Sequence, residues 1–156
     1  MKEIVKSVHI ILKEEGELSE VEQKLVAAAK EATFRSYAPY SRFHVGAAVL
    51  LDNGEIITGN NQENCAYPSG LCAERTAIFS ASSRYPGERD YQALAIIGRN
   101  GVGEYCEASP CGACRQVLME YERNQGHPLR VLCYLAGGRV RVFEKVADLL
   151  PFTFDF

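Results

Sequence analysis

The stretch Cys72-Ala73-Glu74 is followed further along the chain by Pro110-Cys111-Gly112-Ala113-Cys114. Thiolates are good zinc ligands, and a site with three protein ligands keeps its fourth tetrahedral position open for water. A carboxylate two residues from a ligand can reach that water without binding the metal. The two motifs therefore predict one open zinc site, with Cys72, Cys111 and Cys114 as ligands and Glu74 within reach of the bound water.

Both motifs fall where a helix is expected to begin. Residues 72–83 have a helical pattern, and Pro110 suits the first turn of a second helix that runs to about residue 122. The positive end of a helix dipole favours thiolate over thiol. Two helix N-termini could then converge on one ion.

Two other interpretations of these cysteines stay open. Cys111 and Cys114 could be a redox pair, although that explains neither Cys72 nor Glu74. A structural zinc could be completed by Cys65, Cys106 or a histidine, but a saturated site has no use for Glu74.

Arg75 directly follows the glutamate. Three thiolates on Zn²⁺ give a net charge of −1, which opposes ionisation of a bound water. A guanidinium that donates to the sulfurs would offset this charge. The alternative is an ordinary arginine on a helix surface.

Length and composition favour one ordinary globular domain. The chain has 156 residues, a formal net charge of −3 and a pI of about 5.7, with its basic residues scattered, which argues against nucleic acid as the main partner. No apolar run is long enough for a membrane span, and the N-terminus has no hydrophobic signal segment. We therefore expect a cytoplasmic protein that does not bind membranes.

The order of predicted elements indicates an α/β fold. Ser19-x-x-Glu22 is a capping box that opens a helix to about residue 37, and Asp52-Asn53-Gly54 is a hairpin turn between strands at 43–51 and 55–59. Strands are also expected at 94–98, 131–136 and 140–143. Helices should cover the faces of one mixed sheet. Residues 1–18 are expected to be an N-terminal extension that forms a strand.

With these motifs in place, the chain resembles the small, homotetrameric cytidine deaminases from about residue 19 to residue 154. The motifs that carry the resemblance are Tyr37-Ala38-Pro39-Tyr40-Ser41, Phe43-His44-Val45-Gly46-Ala47-Ala48, Asn61-Gln62-Glu63-Asn64, Cys72-Ala73-Glu74-Arg75-Thr76-Ala77, Pro110-Cys111-Gly112-Ala113-Cys114-Arg115-Gln116 and Leu149-Leu150-Pro151. The resemblance implies a three-layer α-β-α fold with a mixed five-stranded sheet, in which residues 19–156 form a single zinc-dependent deaminase domain. It also implies one Zn²⁺ per chain and a homotetramer with shared active sites.

The implied reaction is hydrolytic deamination of cytidine and deoxycytidine to uridine and deoxyuridine, with release of ammonia, as in pyrimidine salvage. A zinc-bound hydroxide would attack C4 of the pyrimidine, and Glu74 would carry the protons. The blasticidin-S-type deaminases are the nearest enzyme alternative. A non-catalytic zinc-binding module is the alternative from another class.

The resemblance also assigns roles in holding the nucleoside. Phe43 would stack on the pyrimidine, the Ala73 N–H would meet the pyrimidine carbonyl, and Asn61 and Glu63 would bind the ribose 3′-hydroxyl. Tyr67 and Phe154 would line a neighbouring subunit's site. For each side chain, simple packing or solvent exposure is the alternative role.

Overall fold

A computed structural model describes residues 1–154 of the chain. The strands are β1 (Ile11–Glu14), β2 (His44–Leu51), β3 (Ile56–Asn60), β4 (Tyr91–Arg99), β5 (Tyr105–Cys106), β6 (Arg130–Leu135) and β7 (Arg139–Phe143). The helices are α1 (Glu20–Ala32), α2 (Ala73–Arg84) and α3 (Gly112–Gln125), with short 3₁₀ turns between them. No helix in this described part is both long and apolar enough to cross a bilayer.

The sheet in residues 1–154 has seven strands in the order β1-β7-β6-β4-β2-β3, with β5 paired to the end of β4. β4 and β6 are parallel and every other pair is antiparallel. The expected α/β architecture with a mixed sheet is confirmed, but the expected number of five strands is wrong. The two additional strands are β5, which has only two residues, and β1, which lies within residues 1–18.

The helices form two layers that sandwich the sheet. α1 packs on one face, where Leu25, Val26 and Ala29 join a buried cluster with Ala48 and Ile97. The other face carries α2 and α3, whose Ile78 and Leu118 lie in a second buried cluster. These two cores give the three layers that the resemblance implied.

Two glycines allow the helices to approach the sheet closely. A Cβ on Gly46 would lie 2.0 Å from the Ala29 carbonyl oxygen of α1. A Cβ on Gly59 would lie 2.3 Å from the Ala77 nitrogen and 2.7 Å from the Ala73 oxygen of α2. Because no side chain separates β3 from α2, the first turn of α2 lies directly over the strand. That contact fixes where Cys72 and Glu74 are placed.

Helix α1 ends earlier than the sequence predicted. The α-helix stops at Ala32 and is followed by a 3₁₀ turn, Thr33–Arg35, instead of continuing to about residue 37. The Thr33 hydroxyl donates to the Lys30 carbonyl at 2.7 Å, and the Ser36 hydroxyl donates to the Thr33 carbonyl at 3.0 Å. These hydroxyls satisfy carbonyls that the next helical N–H groups would otherwise bind.

Candidate metal centre and adjoining cleft

Three cysteines meet where α2 and α3 begin. Cys72 is the N-cap residue of α2 and Cys111 is the N-cap residue of α3, and neither side chain makes a capping hydrogen bond. Cys114 follows one turn into α3 and is fully buried. The two helix N-termini thus present three sulfurs, with their N–H groups and positive dipole ends, to one point.

The spacing of the sulfurs fits a tetrahedral zinc site. The Cys72 and Cys111 sulfurs are 3.8 Å apart, the Cys111 and Cys114 sulfurs are 3.6 Å apart, and all three lie within 4.8 Å of one another. Zn–S bonds of about 2.3 Å at tetrahedral angles place two ligand sulfurs roughly 3.8 Å apart. The three cysteines are therefore suited to hold one zinc ion.

Within residues 1–154, this is the one group of three or more His, Cys, Asp or Glu side chains near enough to share an ion. Cys65, Cys106 and Cys133 lie outside the group. The His44 ring contacts the Ser36 hydroxyl at 2.6 Å, and the His127 ring is 3.0 Å from Asp90. The described residues thus assemble no fourth protein ligand of the kind that a saturated structural zinc would need.

Arg75 lies next to the sulfurs, as its position after Glu74 suggested. Its Nη2 donates to the Cys72 sulfur at 3.5 Å. The pKa of Cys72 is lowered to about 5, because the Cys114 thiol donates to its sulfur and the Arg75 guanidinium does the same. Arg75 therefore favours the thiolate form that binds metal.

Glu74 is buried beside this cluster, with only 3% of its surface exposed. Burial raises the pKa of its carboxyl to about 7, and the nearby Cys72 charge adds to the effect. A carboxyl that titrates near neutral pH is suited to both accept and donate a proton.

A cleft of about 800 Å³ opens beside Glu74. Most of the residues proposed from sequence line it, namely Phe43, Asn61, Glu63, Tyr67, Cys72, Ala73, Glu74, Arg75 and Cys111. Tyr67 is on the rim and 91% exposed. Phe154 is not part of this chain's own cleft.

Phe43 is held in the cleft wall from two sides. The Asn61 side chain accepts from the Val45 N–H at 2.8 Å and donates to the Phe43 carbonyl at 2.9 Å. A Cβ on Gly98 would lie 2.8 Å from the Phe43 ring, so the ring rests directly over β4. In this structure, Asn61 fixes the backbone on either side of residue 44.

The Glu63 carboxylate already has donors from its own chain. It accepts from the Tyr40 N–H at 3.0 Å, from the Ser41 N–H at 3.2 Å and from the Ser41 hydroxyl. These contacts lower the pKa of Glu63, with the Ser41 hydroxyl as the largest cause. The sequence reasoning missed the role of Ser41, since no local spacing connects two residues so far apart in the chain.

Phe154 is attached to α3 through its backbone. The Gln116 side chain donates to the Phe154 carbonyl at 3.0 Å and accepts from the Phe154 N–H at 3.4 Å. The Phe154 side chain is 68% exposed. No role for Gln116 was predicted, because a helical glutamine two residues after Cys114 has no distinguishing pattern of its own.

Known proteins are similar to this chain over most of its length. Residues 19–125 match the family described as the cytidine and deoxycytidylate deaminase zinc-binding region. A cytidine deaminase of Sporosarcina psychrophila is 44% identical over 134 residues, which are 85% of this chain and 90% of that protein. One of Halalkalibacterium halodurans is 41% identical over 85% of this chain and 92% of its own length.

A solved structure is also similar. The crystal structure of a cytidine deaminase from Burkholderia pseudomallei aligns with a TM-score of 0.73 and 40% identity, and the match covers 88% of this chain and all of that one. A blasticidin-S deaminase of Bacillus cereus is more distant, at 32% identity over 67% of this chain. The family match covers well over half of the chain and includes the buried glutamate and all three clustered cysteines. The chain therefore belongs to the cytidine and deoxycytidylate deaminase family of zinc-dependent enzymes.

Proposed function

We propose that this chain hydrolyses cytidine and deoxycytidine to uridine and deoxyuridine with release of ammonia, a step of pyrimidine salvage in the cytoplasm. One observation carries the proposal: the buried carboxyl of Glu74 and a three-cysteine cluster with zinc-ligand spacing border the same cleft. The names of the similar proteins support the same reaction.

Cys72, Cys111 and Cys114 would hold one Zn²⁺, which when bound supplies a water whose pKa falls from about 15.7 towards ~7. Arg75, which donates to the Cys72 sulfur, would offset the negative charge of three thiolates. The contact between Arg75 and Cys72 would thus stabilise the site by reducing its net negative charge.

Glu74 would move every proton in the reaction. It accepts one proton from the attacking water and delivers it to N3 of the pyrimidine, and it then takes the second proton of that water from the new C4 hydroxyl and delivers it to the departing amine as the C4 carbonyl forms. Its burial keeps competing water away from the carboxyl. A single carboxylate suffices because these transfers follow one another.

The cleft wall would hold the nucleoside. The cleft has a volume of about 800 Å³, which lies within the range of roughly 300–1,000 Å³ that is typical of small-molecule sites. The Phe43 ring would stack on the base, and the Ala73 N–H would donate to the pyrimidine carbonyl. Glu63 and Asn61 would meet the ribose 3′-hydroxyl, with Glu63 held for that contact by Ser41.

The assembly we propose is a homotetramer whose sites are completed by neighbouring copies. Tyr67 and Phe154 are the residues that would reach a neighbour's nucleoside, and both side chains are largely exposed in the single chain. Light scattering under assay conditions tests this assembly, and a monomer with full activity would refute it.

The function is tested by following ammonia release from cytidine, deoxycytidine, free cytosine and blasticidin S with the zinc-loaded protein. We expect rapid turnover of the two nucleosides and much slower turnover of cytosine, which lacks the ribose. Preference for blasticidin S would assign the chain to that class of deaminase. Bound zinc without turnover of any of these substrates would indicate a non-catalytic zinc-binding module.

A further inference from the structure

The N-terminal arm, residues 1–10, is exposed and contacts the C-terminal tail, residues 149–154, through Lys6. The Lys6 ammonium donates to the Pro151 carbonyl and lies 4.8 Å from the centroid of the Phe152 ring. Lys6 and Ser7 of the arm and Pro151 and Thr153 of the tail together border a small pocket of about 400 Å³. The arm has no helix or strand of its own, but it leads directly into β1, which is paired with β7.

The same tail is also held by α3, the helix that has Cys111 as its N-cap residue and Cys114 in its first turn. Arg115 donates to the Leu149 carbonyl at 3.0 Å, and the Gln116 amide makes its two bonds to the Phe154 backbone. Both residues directly follow Cys114. Three side chains therefore hold three successive parts of the tail.

A tail of this kind needs such contacts to stay in place. It has no regular structure after the 3₁₀ turn Val146–Asp148, and Phe152 is 81% exposed. Terminal segments without anchoring contacts are poorly ordered. A tail that is ordered before it meets a ligand loses less conformational entropy on binding.

We propose that the N-terminal arm is a strap that holds the C-terminal tail in place, with Lys6 and Gln116 as positioning residues for Phe154. This inference rests on the proposed function, in which Phe154 completes a neighbour's nucleoside site. The strap lies outside the family match, which begins at residue 19. It therefore adds a determinant of nucleoside affinity that the shared zinc chemistry does not include.

The first test measures the tail itself. Hydrogen–deuterium exchange of the peptide that spans residues 149–156 is compared in the parent, Lys6→Met, Lys6→Arg and Lys2→Met. Lys6→Met keeps an apolar stem but loses the donor and the charge, so the tail should exchange roughly two- to tenfold faster, the scale of one lost hydrogen bond. Lys6→Arg should stay near the parent, because a guanidinium can also donate and lie over a ring. Lys2→Met is the matched control on the same arm.

The second test separates positioning from folding. Lys6→Met and Gln116→Leu should each raise the KM for cytidine roughly two- to tenfold, and kcat should change less than twofold, since Glu74 and the cysteines are untouched. Tail exchange in Lys6→Met equal to that in Lys2→Met would overturn the strap. Faster exchange with an unchanged KM would overturn its positioning role.

A parent protein without activity on any nucleoside would instead overturn the proposed function. The exchange measurement would still decide whether the arm holds the tail.

Discussion

Two glutamates, Glu22 and Glu74, occupy the first turns of two helices, and both are buried. Glu22 accepts from the Ser19 N–H at 3.0 Å and from the Ser19 hydroxyl at 2.8 Å, and its other oxygen is 3.0 Å from Arg130. Burial alone would raise its pKa, but the Ser19 hydrogen bonds and the Arg130 charge outweigh burial and lower it. For Glu74, burial prevails and the pKa rises to about 7.

The opposite pKa shifts of Glu22 and Glu74 show that the surroundings of a glutamate determine whether it has a structural or a chemical role. α1 begins with a serine that caps it, and Glu22 completes that capping box. α2 begins with Cys72, which makes no capping bond, and Glu74 faces a cleft. The N-terminus of α2 therefore has no side-chain cap, and both the Cys72 sulfur and the Glu74 carboxyl are available to a ligand.

The largest effect is expected at a cysteine N-cap. Cys111→Ala and Cys111→Ser should both lose bound zinc, from about one equivalent per chain to near zero, and all deamination with it. Serine is a good N-cap and alanine is a poor one, so zinc-free Cys111→Ser should be more stable than Cys111→Ala by about 0.5–2 kcal/mol. Elemental analysis and urea unfolding in chelator measure the two effects. Zinc retained in either variant would remove Cys111 from the site.

The second largest effect is expected when Glu74 is substituted. Glu74→Gln keeps the shape but cannot accept a proton, so turnover should fall by at least ~10² while zinc stays bound. Glu22→Gln is the matched control, since it makes the same change at a buried first-turn glutamate away from the cleft. Steady-state rates with zinc analysis of both variants check this, and near-normal turnover in Glu74→Gln would refute the proton transfer.

The two substitutions Glu22→Gln and Glu74→Gln should have the opposite order of effect on the free energy of unfolding. Glu22→Gln loses the ionic half of the capping box and leaves Arg130 without this partner, which should lower the free energy of unfolding by about 1–3 kcal/mol at pH 7. Glu74→Gln should lower it by less, because Glu74 has no comparable set of donors. Denaturant unfolding of the zinc-loaded proteins measures both values. A larger loss in Glu74→Gln would contradict the assigned structural and chemical roles.

Local spacing explains what the sequence could predict. The capping box of Ser19 and Glu22 and the hairpin turn at residues 52–54 depend on neighbours within a few residues, and both are confirmed. The cysteine motifs also placed three sulfurs correctly at two helix N-termini, since each motif is short and begins its helix.

Contacts between distant parts of the chain explain what it could not predict. β5 has two residues and no periodicity, and β1 joins the sheet through residues far away at β7. The same holds for Asn61, whose two bonds reach Phe43 and Val45 across the hairpin. The capping box accounts for the Ser19 hydrogen bonds that lower the pKa of Glu22, but the burial that raises the pKa of Glu74 and the Arg130 charge beside Glu22 are not revealed by any pattern around either residue.

The smallest effect is the pH dependence of the Glu22 contribution. Its pKa is lowered from 4.5 on folding, so its stabilising effect is complete above that value and is lost as the pH falls through the folded pKa. The stability difference between the parent and Glu22→Gln should therefore be constant from pH 7 to about 6 and shrink below pH ~4.5. Exposed Glu20 lies in the same turn, so Glu20→Gln controls for the general loss of a negative charge near the helix N-terminus. Urea unfolding at several pH values measures the difference, and a gap that widens on acidification would mean that Glu22 is not held as a carboxylate by Ser19 and Arg130.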